Sequence, residues 1–171
     1  MVAGDARFGE CARQKRGPAT GPNPTDRGKP GSKHHVLTER QGIPLVARLT
    51  AANVNDGTVL ESMVDAIPPI HRPLGRPRRR PAKLHADKAY DARCYRQALR
   101  RRRIAPRIAR KGIESRERLG RHRWVAERTL SWLHQLRRLR IRDERRADIH
   151  QAFLTLGCAL ICWSFLRSRF C

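Results

Sequence analysis

Two carboxylates stand out by where they fall. Asp87 lies in KLHADKAYD (residues 83–91), where Leu84 and Ala86 alternate with Lys83, His85 and Asp87, the period of a strand ending near Asp87. Glu127 lies in RHRWVAERTLSWLHQL (121–136). There Val125, Thr129, Trp132, Leu133 and Leu136 share one helical face, and Arg123, Glu127 and His134 share a second. Spacing alone leaves their roles open. Arg123 and Glu127 are also spaced as a surface ion pair, and an Asp at a strand end also suits a turn or cap. If the two converge, they form a carboxylate site inside a strongly basic field.

That field is large. Thirty-eight Lys plus Arg oppose 15 Asp plus Glu among 171 residues, a formal net charge of +23. Self-repulsion on this scale is unusual for a cytosolic small-molecule enzyme, and polyanions relieve it, so nucleic acid leads the candidate partners. The 39% hydrophobic content argues against a disordered chain. The excess is uneven: residues 72–110 alone hold 15 basic and 2 acidic side chains, surrounding Asp87, while 36–71 are net acidic. Most of the basic residues are Arg, which grips phosphate bidentately.

The elements that must position these groups read as follows. Residues 14–33, rich in Gly, Pro and basic residues, form an exposed loop. Segments 34–41 and 43–49 are strands joined by a turn at Gln41-Gly42. Asn55-Asp56-Gly57 caps a helix over 58–67, with Leu60, Met63, Val64 and Ile67 inward, and Pro68-Pro69 stops it. A basic Pro-rich connector (71–82) leads to the Asp87 strand. Asp91 is the N-cap of a helix over 92–103, with Tyr95, Ala98 and Leu99 inward and Arg100–Arg103 at its wet end. A strand at 104–109 and helices over about 116–141 and 147–166 complete the order β-β-α-β-α-β-α-α, an α/β class. The apolar run 152–166 is short for a membrane span and suits a buried helix, with the Cys158 and Cys162 thiols inside. Trp132 and Trp163 are expected in the core. With Trp124, Tyr90 and Tyr95 they are the aromatic candidates for stacking on bases. The five Cys form no C-x-x-C pair and the N-terminus has no apolar signal, which fits a reducing cytoplasm.

Three motifs, TGPNPTDRGKPGSKHHV (20–36), ADKAYD (86–91) and the segment 107–163 around WVAERTLSWLHQL, resemble bacterial insertion-sequence transposases of the DDE type, most nearly the insertion-sequence-five group. The resemblance spans about residues 20–166. It implies an RNase H-like mixed sheet flanked by helices, in which two Asp and one Glu bind two Mg²⁺ (or Mn²⁺) ions. It also implies cleavage of double-stranded DNA at transposon ends, with the exposed 3′-OH then attacking target DNA. Mg²⁺ prefers carboxylate oxygens, and two such ions activate the attacking oxygen and stabilise the leaving one.

Carried over residue by residue, Asp87 matches the family's second Asp and Glu127 its Glu. In the signature Y-x2-R-x3-E-x6-K, Arg123 and Glu127 fit, whereas Gly120 and His134 depart. The first Asp belongs to a first-strand pattern like D-[GS]-[ST]-x-x-R-A. Aligning Arg13 with its Arg puts that Asp at Phe8, and Asp5, three residues early, is the nearest. The resemblance thus implies an N-terminally truncated or frameshifted catalytic portion: a basic segment 1–33 with a degenerate or missing first strand, then a catalytic domain 34–171. Expected DNA contacts are Arg76, Arg78, Arg79, Arg80, Lys88, His134, Arg137 and Arg138, with Arg140 and Arg142 further along the Glu127 helix. Expected partners are DNA and a second copy of the chain, without membrane, at the nucleoid of the cytoplasm. The competing reading is a non-catalytic basic nucleic-acid-binding protein, which has no use for Asp87 and Glu127 in one metal site.

Overall fold

A computed structural model describes the backbone of residues 2–13, 17–24, 27–71, 75–110 and 116–170, and the side chains of these except 2–13, 116–123, 169 and 170. In chain order the elements are β1 (Val2–Arg13), β2 (Gly21–Pro22), β3 (Pro30–Glu39), β4 (Pro44–Ala51), α1 (Gly57–Asp65), β5 (Lys83–Ala86), α2 (Arg93–Arg101), β6 (Ala105–Ile108), α3 (Arg116–Gln135), α4 (Arg137–Arg140), β7 (Ile141–Arg142) and α5 (Ala147–Phe170).

One mixed sheet organises them. Strand β3 pairs antiparallel with β4 on one side and β1 on the other. Strand β1 then runs parallel to β5, and β5 parallel to β6. Strand β3 is covered on both faces, so its residues need not alternate between polar and apolar. Leu37 packs with Leu60, Met63, Leu84 and Leu99 beneath α1 and α2. Its neighbour Val36 packs with Leu130, Leu133, Leu139 and Leu154 beneath α3–α5. The class is mixed α/β, as expected.

Several boundaries differ from expectation. The first strand, expected to be degenerate or missing, is present and central: β1 pairs with β3 from Ala3↔Glu39 to Ala12↔Gly31. The backbone needs only hydrogen-bonding neighbours, and β3 and β5 supply them whatever the side-chain motif. The division at 33/34 accordingly falls inside β3, and residues 30–33 of the expected loop are strand. Asp91 does not cap α2. Its carboxylate is taken by Arg96 at 2.6 Å, and Ala92 stands at the cap position.

The expected helix over 116–141 breaks at Leu136, whose ψ is 115°. The break lets Leu133, Leu136 and Leu139 all converge on α5 at Gly157, where a Cβ would lie 2.9–3.0 Å from each. Helix α5 is only partly buried. Its inner side covers β4, where Gln151 accepts from the Leu49 amide and donates to the Ala47 carbonyl. Its outer side is apolar and exposed, and Trp163 lies there rather than in the core. The Cys158 and Cys162 thiols are half-buried, and burial pushes Cys158 up to about 12. Tyr90 is fully buried, and Tyr95 packs on Gly57, so neither ring is free to stack on bases.

Candidate active site

Asp87 follows β5 directly. Its carboxylate accepts the Lys88 amide at 2.7 Å, opening a single 3₁₀ turn (Lys88–Tyr90) pinned by buried Tyr90. Arg96 braces this turn, joining the Asp91 carboxylate to the Ile108 carbonyl on β6. At the same end of the sheet the Ala109 amide donates to the Ala86 carbonyl at 3.4 Å, so exposed Arg110 leaves β6 beside Asp87. Sequence reasoning did not single out Arg110. The rule that ligands bind at the carboxyl ends of parallel strands points to it once β5 and β6 are known to pair.

Glu127 is exposed on α3, which packs against β1 and β5. Two side chains fix that helix to the β3–β4 turn. Thr129 Oγ1 donates to the Gly42 carbonyl at 2.8 Å, and Arg128 donates to the Gln41 carbonyl. Gly42 has φ +94°, and a Cβ there would meet Thr129 and Arg128, so both the turn and the approach require glycine. The Arg128 guanidinium lies between the Trp124 and Trp132 rings, 4.5 and 4.6 Å from their centroids. The side chains of Arg123 and Asp5 lie outside the described residues. Asp5 falls on β1 between Ala3 and Ala6, which pair with Leu84 and Ala86 of β5. Among the described residues no three His, Cys, Asp or Glu side chains form a metal-binding group.

His134, expected to contact DNA, is half-buried with its ring 5.7 Å from that of His34, and burial lowers its pKa. It offers at most a neutral hydrogen-bonding group rather than a positive charge. His34 belongs to a relay the sequence did not reveal: Glu144 Oε2 to His150 Nδ1 at 2.9 Å, and His150 Nε2 to His34 Nε2 at 2.9 Å. Glu144 favours a proton on His150 Nδ1, which leaves His150 Nε2 to accept from His34. Burial, then the facing His150 and His134 rings, hold His34 well below the ordinary range.

On the other face of β3, His35 is fully buried with Nε2 2.7 Å from Thr50 Oγ1, and burial lowers it from 6.5 to about 4. The unfolded chain takes up this proton near 6.5 and the folded one resists it. Stability is therefore expected to fall as pH drops below 6.5, levelling near 4, with His35 contributing a loss of about 3 kcal/mol. Urea denaturation of wild type and His35→Gln between pH 7 and 4 checks this: the variant's dependence should be shallower by roughly that amount.

The expected DNA-contacting residues lie apart. Arg76, Arg79 and Arg80 are exposed on the connector before β5, and Arg78 is half-buried, its backbone bridged to Ile70. Four residues of β5, about 13 Å, separate them from Asp87, whereas Lys88 adjoins it. Arg137 is exposed, and Arg138 pairs with Asp143 and Glu144. Arg142 is not on the Glu127 helix. It lies on β7, wholly buried. Arg102 is committed to Asp65 and Glu61 of α1.

Two carboxylates on elements packed against a shared central strand, with basic side chains around them, fit an enzyme that acts on DNA phosphodiesters. Residues 5–162 match the transposase DDE domain family, and the chain belongs to it. It is a DNA transposase, an enzyme that cleaves and transfers DNA. The chain is also 57% identical over 167 residues, 98% of its length and 79% of the relative's, to the Burkholderia cepacia protein named "Putative transposase for insertion sequence element IS402". Enzymes of this family generally use divalent metal ions.

Proposed function

We propose that the chain is an RNase H-like catalytic domain in which Asp87, Glu127 and Asp5 hold two divalent ions and cut DNA at the ends of an insertion sequence. The observation that carries this reading is the parallel pairing Ala6↔Ala86, which sets the strand bearing Asp5 beside the strand that delivers Asp87. The strand order β4-β3-β1-β5-β6, antiparallel then parallel, supports the fold assignment.

The course of α3 supports the third member. His134 meets His34, which pairs with Gly9. Thr129 meets Gly42, beyond the pairing Glu39↔Ala3, so α3 descends alongside β1 toward its start. Glu127, two residues before Thr129 on the same helix, therefore lies toward the Ala3 end of β1, the end that carries Asp5.

The donor set fits magnesium, which takes one or two protein carboxylates and completes its shell with water and phosphate oxygens. When bound, such ions activate the attacking hydroxyl and stabilise the leaving oxygen. The chain's own residues orient the site. The Lys88 amide fixes the Asp87 carboxylate, and the Thr129 and Arg128 contacts fix the helix that carries Glu127. Arg110 and Lys88 are placed to hold phosphates, with Arg76, Arg78, Arg79, Arg80, Arg137 and Arg138 extending the grip sequence-independently.

The test is nicking of duplex DNA bearing the element ends, with Mg²⁺ or Mn²⁺ and with chelator, alongside direct titration of Mn²⁺ binding. Wild type should nick only with metal. Asp87→Asn, which keeps an acceptor for the Lys88 amide but loses the charge, should lose both nicking and Mn²⁺ affinity. Nicking that survives in chelator or in Asp87→Asn would sink the assignment. Salt-sensitive DNA binding with no nicking and no Mn²⁺ uptake would favour the non-catalytic binding protein.

A further inference from the structure

Helix α5 carries a second pattern that the fold uses only at Phe153, which packs on the Val36 cluster. Ile149, Phe153, Leu156, Leu160, Trp163 and Arg167 follow one another at steps of four, three, four, three and four. That is the a/d repeat of a coiled-coil seam rather than the broader stripe of a helix buried in its own domain. The seam faces outward: Ile149 is 41% exposed, Leu156 56%, Leu160 48% and Trp163 64%, with Phe153 half-buried at its margin. The core-facing positions, Leu154, Gly157 and Ile161, lie on the adjacent stripe.

We propose that α5 is a homodimerisation helix, packing antiparallel against α5 of a second copy about a two-fold axis near residue 158. The repeat is self-complementary about that point. Leu156 meets Leu160 of the second copy, Phe153 meets its Trp163, and Ile149 meets the alkyl stem of its Arg167. Charge selects both partner and direction. Of the positions flanking the seam, Ala152, Ala159, Ser164 and Leu166 are exposed while His150 and Gly157 are buried against the domain, and none is a Lys, Arg, Asp or Glu, so two copies of a +23 chain can meet there without opposing like charges. Antiparallel packing brings Arg167 to the second copy's Asp148. Parallel packing would set Arg167 against Arg167 and Arg146 against Arg146.

Area agrees. At roughly 150 Å² or more per large apolar side chain, about half exposed, the seam and Leu166 offer on the order of 450 Å² per copy. Two copies, with the flanking small residues included, approach the roughly 1,000 Å² of a specific interface. The proposal is independent of the metal-site reading, since it concerns the opposite end of the sequence from β1 and is read without activity.

Analytical ultracentrifugation of the full DNA-free chain at micromolar concentration tests it, in salt high enough to screen the net charge. Wild type should sediment near twice 19.7 kDa. Leu156→Glu with Leu160→Glu should sediment as a monomer with unchanged far-ultraviolet circular dichroism. Asp148→Arg alone should weaken association about tenfold, and Asp148→Arg with Arg167→Asp should restore it. A monomeric wild type, a dimer that persists in the double-Glu variant, or no rescue by the charge exchange would overturn the antiparallel dimer. So would a wild type that stays monomeric but floats with phosphatidylcholine–phosphatidylglycerol vesicles, since α5 also has the length and hydropathy of a membrane-active helix.

Discussion

Glu127→Gln is expected to slow metal-dependent strand cleavage at least ~10³-fold, about 4 kcal/mol of transition-state stabilisation, while leaving fold and DNA binding intact. The two halves of this expectation have separate causes. Glu127 is exposed, so an isosteric surface change should move stability by no more than about 0.5 kcal/mol. Removing a negative charge from a +23 chain cannot weaken its hold on phosphate. On the proposed site, the substitution removes one charged oxygen donor of the several needed to hold a hard divalent ion. Glu127→Asp gives the graded control: it keeps the charge but withdraws it by one methylene, a displacement of the order that costs about 10² in rate. Single-turnover nicking rates, filter-binding affinities and melting temperatures of the three proteins separate chemistry from binding and stability. Cleavage by Glu127→Gln within tenfold of wild type would remove Glu127 from the site.

The residues that could be read from sequence are those governed by short-range pattern. Strand β5, the Gln41-Gly42 turn, the inner face of α1 and the buried stripe of α3 follow from alternation and helical spacing, and the structure bears them out. Spacing places Asp87 at a strand end and Glu127 on a helix for the same reason, but their roles come from the family resemblance and not from the pattern. Long-range partners were not legible. Asp91 is a fair N-cap by local rules, yet Arg96 competes for its carboxylate because β6 supplies a second acceptor, the Ile108 carbonyl. Leu136 interrupts a helix that its own sequence would continue, because α5 approaches at Gly157. The 34–35 His pair shows no periodicity, and only the packing of α3 and α5 on β3 reveals one ring in a relay and the other against Thr50. Strand β1 is expected to be degenerate or missing because residues 1–13 match the family's first-strand pattern poorly, whereas its strand-hood depends on β3 and β5. The α5 seam was misread as core for a related reason: apolarity alone does not say which of two stripes faces inward.

Arg142→Met is expected to destabilise the fold by about 3–5 kcal/mol, a large share of the 5–15 kcal/mol typical of a domain. Arg142 is fully buried. Nε donates to the Glu144 carbonyl, Nη1 to Ala19 O, Ser32 Oγ and Thr20 Oγ1, and Nη2 to the Pro18 and Arg145 carbonyls. One side chain thus ties the loop before β2, strand β3 and the segment after β7 together. It also holds Ala19 at φ +54°, a left-handed conformation costing a non-glycine residue of order 1 kcal/mol or more. Methionine matches the volume and spares the desolvation of a charge, and that exchange is often neutral when both members of a buried pair are replaced. Here four of the six acceptors are backbone carbonyls and two are the Thr20 and Ser32 hydroxyls, and all of them remain. Each carbonyl left without a donor costs about 1–3 kcal/mol, offset where water can enter beside the loop. Arg142→Lys should recover part of the loss, since an ammonium reaches fewer of six acceptors spread over three segments. The loss should reach β1 as well, because β7 pairs with its end at Ala12↔Ile141 and Arg13↔Arg142. Hydrogen exchange in Arg142→Met should therefore rise along β1 ahead of β5, whose pairing with β6 does not depend on this anchor. A change in the urea midpoint worth less than about 1 kcal/mol would show that water, not Arg142, satisfies those carbonyls.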